Sequence, residues 1–80
     1  MTFIEAAKKV ANGRQKDTVM FLVDTKHFGL YKGQIGESET LFHALRREDN
    51  SWLFTKTVYQ PNLYNIVYGD WEVDENTKEV

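Results

Sequence analysis

The side chains with most chemistry to offer in this chain are basic and aromatic. Arg14 and Lys16 form one basic pair and Arg46 and Arg47 another, with Lys56 further on. A guanidinium grips a phosphate through two parallel N–H donors. An aromatic ring beside it, such as Phe28, Tyr31, Trp52 or Tyr59, can stack on a base. Together these suit a small nucleotide. The same residues equally suit solvated strand ends around an aromatic core, and spacing alone leaves both readings open.

Other reactive residue types are sparse. His27 and His43 are the only histidines, and neither has a His, Cys or paired carboxylate at ligand spacing. Ser38 and Ser51 lack a Gly-x-Ser-x-Gly setting. Gly33-x-x-Gly36 lacks the third glycine and the long preceding strand of a dinucleotide fingerprint, and reads as a flexible loop. Glu48 and Asp49 are adjacent carboxylates at a turn tip. These patterns call for no metal, no cofactor and no catalytic set.

The elements that must position these residues are short. Thr2 and Glu5 form a capping box, Thr-x-x-Glu, ahead of the stripe Phe3, Ile4, Ala7, Val10, Ala11. Glu5 and Lys9 pair at i, i+4 on the other face, and Asn12-Gly13 stops the helix, predicted over 3–12. Strands are predicted over Thr18 to Asp24, Phe28 to Tyr31, Thr40 to Arg47 and Trp52 to Tyr59. The first is apolar on both faces, so one face should meet the helix and the other a partner. Gly33 to Glu39 reads as a loop, and Glu48-Asp49-Asn50-Ser51 has hairpin-turn chemistry.

The stretch from Tyr59 to Val73 is the most informative. Pro61 ends a strand because it cannot donate to a ladder. Asn62 can cap a short helix, and Asn65 is placed to reach back to it. Leu63, Ile66 and Val67 are spaced for one helical face, and Gly69 fits a left-handed stop. Asp70-Trp71-Glu72-Val73 then alternates as a half-buried strand. Trp71 reads as core, packed under the first helix with its N–H on a backbone carbonyl. Asp70 either holds nearby backbone N–H groups or accepts from a ligand. The sum is an α+β domain: an N-terminal helix on an antiparallel sheet of about five strands, with a short helix before the last strand.

Eighty residues make one domain, with residues 75–80 read as a charged, frayed tail. A domain of this size buries only about 60% of its unfolded surface. Aromatic content of 14% helps to fill the core and leaves rings for a subunit interface. With no cysteine, disulfides and thiolate metal sites are excluded, which fits a reducing cytoplasm. No apolar run approaches the roughly 20 residues of a membrane span. The segment from Met1 to Lys9 reads as an amphipathic helix rather than a signal peptide. A net charge of −2 argues against broad binding to DNA or anionic lipid.

Two segments also resemble a known family. Phe3, Ala6, Ala7, Val10 and Gly13 at one end resemble the Thoeris anti-defence 2 family of phages and prophages. So does the other end: an aromatic, a spacer, Pro61, Asn62, Asn65, two aliphatics and a closing Asp70-Trp71. Residues 15–58 correspond only in element order. The resemblance implies a homo-oligomeric sponge that sequesters cyclic signalling nucleotides, chiefly cyclic ADP-ribose isomers, in pockets between subunits and without cleavage. It carries over Tyr59, Asn62, Asn65, Asp70 and Trp71 as motif positions. The chain departs from the family in lacking a Trp within 13–17, in Tyr59 where Trp is usual, and in Asn65 where Asp is usual. These departures leave the ligand open, another cyclic oligonucleotide included. The contrasting expectation is a small phage protein that inhibits a host protein by direct contact.

Overall fold

The computed structural model describes residues 1–75. Helix α1 spans Phe3–Asn12, as its capping box requires: the Thr2 hydroxyl accepts from the Glu5 N–H, and the Glu5 carboxylate accepts from the Thr2 N–H. Strands β1 (Thr18–Leu22), β2 (Phe28–Ile35), β3 (Ser38–Arg46) and β4 (Trp52–Val58) follow, then α2 (Leu63–Tyr68) and β5 (Trp71–Glu75). All five strands form one antiparallel sheet in the order β4-β3-β2-β1-β5. No helix among the described residues is long and apolar enough to cross a membrane.

The stretch from Gly33 to Glu39 is not a loop. β2 and β3 continue to a register of Ile35 opposite Ser38, leaving only Gly36 and Glu37 to turn, with Gly36 at φ +59°. Gly33 serves packing instead: a Cβ there would lie 2.5 Å from Cδ1 of Phe42. The Glu48–Ser51 turn forms as its residues demand. Asp49 accepts from both the N–H and the hydroxyl of Ser51, and Asn50 takes φ 68°. Those bonds hold the exposed Asp49 carboxyl below its ordinary pKa.

The two faces of the sheet are closed differently. On one, α1 covers Met20, Leu30 and Trp71 with Ala6 and Val10. Lys32 rises beside it and donates to the carbonyls of Ala11 (3.1 Å) and Gly13 (2.6 Å), placing a cation at the negative helix end. On the other face, Val19, Phe21, Tyr31, Phe42, Ala44 and Trp52 form a second core. The expected partner is not what buries this face of β1; the sheet covers itself by curling. Trp52 on one outer strand bonds Asp74 on the other at 2.9 Å.

The Tyr59–Val73 region follows its sequence signals with local changes. The Asn62 side chain caps α2 by accepting from the Asn65 N–H at 3.1 Å. The Asn62 N–H goes to the Tyr59 hydroxyl (3.3 Å), not back to Asn65. Gly69 is extended rather than left-handed (φ −65°, ψ 146°), and its lack of a side chain is steric: a Cβ would meet the Asn65 carbonyl at 2.3 Å. Trp71 is 3% exposed, its ring edge-on to Phe3 at 5.3 Å and its N–H on the Asn65 carbonyl at 3.0 Å. The α2 face carrying Leu63 and Val67 is exposed, along with Tyr64 and Tyr68. Of the predicted tail, Glu75 ends β5 and the rest lies outside the described residues.

Candidate functional site

The concave face of the curled sheet holds a cleft of about 420 Å³. Alternation along the strands builds its floor. Tyr31 and Gly33 of β2 face the same way as Phe42 of β3 and Phe54 of β4. Tyr31 lies edge-on to Phe54 (4.9 Å, 77°) and 5.9 Å from Phe42, with its hydroxyl fixed on the Thr55 carbonyl. The Phe42 ring packs directly onto Gly33, where any side chain would occupy the same space.

The rim is cationic and amide-bearing. Lys56, two residues after Phe54, projects to the same side, and Gln34 joins it from β2. Gln15 and Lys16 arrive from the turn before β1, which the Asp17 N–H to Arg14 carbonyl bond closes at 3.1 Å. Lys16 adopts φ 70°, a left-handed conformation that turns its side chain over the sheet. Its ammonium lies 5.7 Å above the Phe54 ring. Two ammonium groups and two amides around the half-buried Phe54 ring can take phosphate oxygens and hold a flat base against that ring.

Of the basic and aromatic residues singled out from sequence, Lys16, Lys56 and Tyr31 line this cleft. Arg14 lies in a separate shallow cleft with Lys9, Asp17 and Glu75, so carboxylates flank it. Arg46 and Arg47 stand at the opposite end of the sheet, beside Trp52. The Arg46 guanidinium covers the rings of Trp52 (4.2 Å) and Phe21 (5.0 Å), and its Nε donates to the Lys26 carbonyl. Arg47 is exposed at the β3–β4 turn, its N–H on the Ser51 carbonyl. Tyr59, Asn62 and Asn65 are brought together by the α2 cap on the helix-bearing face. Asp70 accepts from the Met1 amino group at 3.2 Å, while its carbonyl accepts from the Val23 N–H.

Gln15, Gln34, Phe42 and Phe54 had no sequence signal of their own. The spacing Phe54-x-Lys56 carried one, since it places ring and cation on one face of a strand. Among the described residues no cluster of three or more His, Cys, Asp or Glu could hold a metal ion. No family model, curated protein or solved structure matches the chain.

Proposed function

We propose that this chain is a phage or prophage anti-defence protein that sequesters a cyclic nucleotide immune signal without cleaving it. The signal would be a cyclic ADP-ribose isomer or a related cyclic oligonucleotide, captured in the cytoplasm of the infected bacterium. The observation that supports this reading is the concave cleft, which Lys16 and Lys56 line together with Tyr31, Phe42 and Phe54, the Lys16 ammonium standing over the Phe54 ring. Stacking on such rings contributes about 1–3 kcal/mol per base. A sponge needs affinity rather than turnover, so grips and stacking surfaces are sufficient. The chain's two-ended resemblance to the Thoeris anti-defence 2 family motivates the choice of cyclic nucleotides.

A cleft open on one side encloses a ligand better when a second copy closes it. Leu63, Tyr64, Val67 and Tyr68 are exposed at 75, 71, 59 and 73%, and α2 carries no charge. Such a surface supports homo-oligomer formation. The same surface favours the second reading, direct inhibition of a host protein.

Calorimetry against cyclic ADP-ribose isomers and cyclic di- and trinucleotides tests the proposal. Saturable heat with at least one, lost in Lys16→Ala/Lys56→Ala, is the expected result. Intact ligand recovered after heating the complex separates sequestration from hydrolysis. No heat across the panel, with a host protein retained on the immobilised chain, would replace the sponge with the inhibitor.

A further inference from the structure

We infer that the helix-bearing face of the sheet holds a second binding site, for a small uncharged aromatic ring bearing a hydroxyl. A cavity of about 170 Å³ lies between β1, β2, β3 and the α2 segment. Leu22, Leu30, Phe28 and Trp71 give it apolar walls. An apolar cavity of about 150 Å³ is known to accept benzene, so one ring is the size that fits.

The polar groups are gathered on one wall. His43 stands edge-on to Tyr59 (5.8 Å, 78°) and, among the described residues, its ring nitrogens take no hydrogen bond. A neutral imidazole has one donor and one acceptor nitrogen. The Tyr59 hydroxyl accepts the Asn62 N–H at a long 3.3 Å, which leaves its own proton to donate. A ligand hydroxyl therefore finds both an acceptor and a donor at the same wall. A phosphate does not fit, because no Lys or Arg lines the cavity. This site is separate from the concave cleft, which lies on the opposite face, and it does not rest on the function proposed above.

Amide-resolved NMR titration of the full chain with phenol, and with benzene for comparison, tests the inference. Phenol should saturate and shift the amides of Leu22, Gly29, Leu30 and His43. Benzene should bind the same amides about tenfold more weakly, the ratio one neutral hydrogen bond supplies. His43→Leu should bring phenol down to the benzene level. Thr25 lines the mouth on an exposed turn, so Thr25→Trp should block both ligands without touching the core. Lys16→Ala/Lys56→Ala should leave phenol binding unchanged. Phenol shifts scattered over the surface would overturn the site, as would affinity unmoved in both His43→Leu and Thr25→Trp.

Discussion

The indole N–H of Trp52 donates to the Asp74 carboxylate at 2.9 Å, although the two residues stand on opposite outer strands of a five-stranded sheet. Four flat inter-strand spacings would part those strands by about 19 Å. The bond exists because twist and curl bring the edges towards each other. It makes one face concave, and that face carries the candidate cleft. Trp52→Phe keeps a ring but removes the N–H, leaving a half-buried carboxylate without its donor. A loss of about 1–3 kcal/mol is expected from urea unfolding. An unchanged midpoint would show that the curl does not depend on this bond.

Arg46 and Arg47 are neighbours in sequence with different surroundings. Arg46 lies flat on Trp52 and Phe21 and bonds the Lys26 carbonyl, whereas Arg47 is exposed. Arg46→Ala should cost about 1–2 kcal/mol through the lost cation–π contact and packing. Arg47→Ala should stay within about 0.5 kcal/mol. Thermal melts of the two variants decide it, and equal melting temperatures would contradict the stacking.

The two glycines of β2 and the glycine of the turn that follows it do two different jobs. A Cβ on Gly29 would lie 2.4 Å from Val19 and 2.8 Å from the Trp52 ring, and one on Gly33 would strike Phe42. Gly36 meets nothing within 4 Å but has positive φ. Gly29→Ala and Gly33→Ala should each lose about 1–3 kcal/mol as overpacking. Gly36→Asn should be almost silent, because Asn tolerates that φ. Chemical denaturation of the three variants should rank them so.

That contrast shows what could be read from sequence. The α1 cap, the Glu48–Ser51 turn, the Asn62 cap and the burial of Trp71 are set by residues within a few positions of one another, or by a strong apolar alternation. Gly33 and Gly36 carry the same letter, yet one answers to a ring on the next strand and the other to a turn. Only the pairing register tells them apart. The separation of Arg46 from Lys16 is likewise a matter of strand direction. The cleft depends on curl, a property of the whole sheet that no local pattern encodes.

The exposed Glu5 carboxyl is held below its ordinary value, chiefly by the Thr2 N–H and then by the Thr2 hydroxyl. A native pKa below the unfolded one means that the unfolded chain takes up the proton first. Its contribution to stability is therefore complete above the unfolded carboxylate range and is lost as pH falls through the lowered native value. Glu5→Gln should shrink the difference between urea midpoints at neutral and at acid pH, with most of the change on the neutral side. A difference identical to that of the parent chain would exclude the capping box as its source.

The α2 surface separates fold from assembly. Leu63 and Val67 lie on a short helix whose hold on the rest of the chain runs through the Asn62 cap, the half-buried Ile66 and the Asn65 carbonyl that receives Trp71. Neither side chain is buried. Leu63→Asp/Val67→Asp should therefore leave the far-ultraviolet spectrum and the Trp71 environment intact. If α2 is the seam between copies, the double variant shifts native mass towards the monomer, because two charges per copy would be desolvated at the interface. Ligand affinity at the concave cleft should fall with it wherever the second copy completes the enclosure. A variant that keeps its mass places the seam elsewhere and leaves α2 to a different protein. A variant that unfolds would instead show that Leu63 and Val67 support the α2 turn beneath which Trp71 is held.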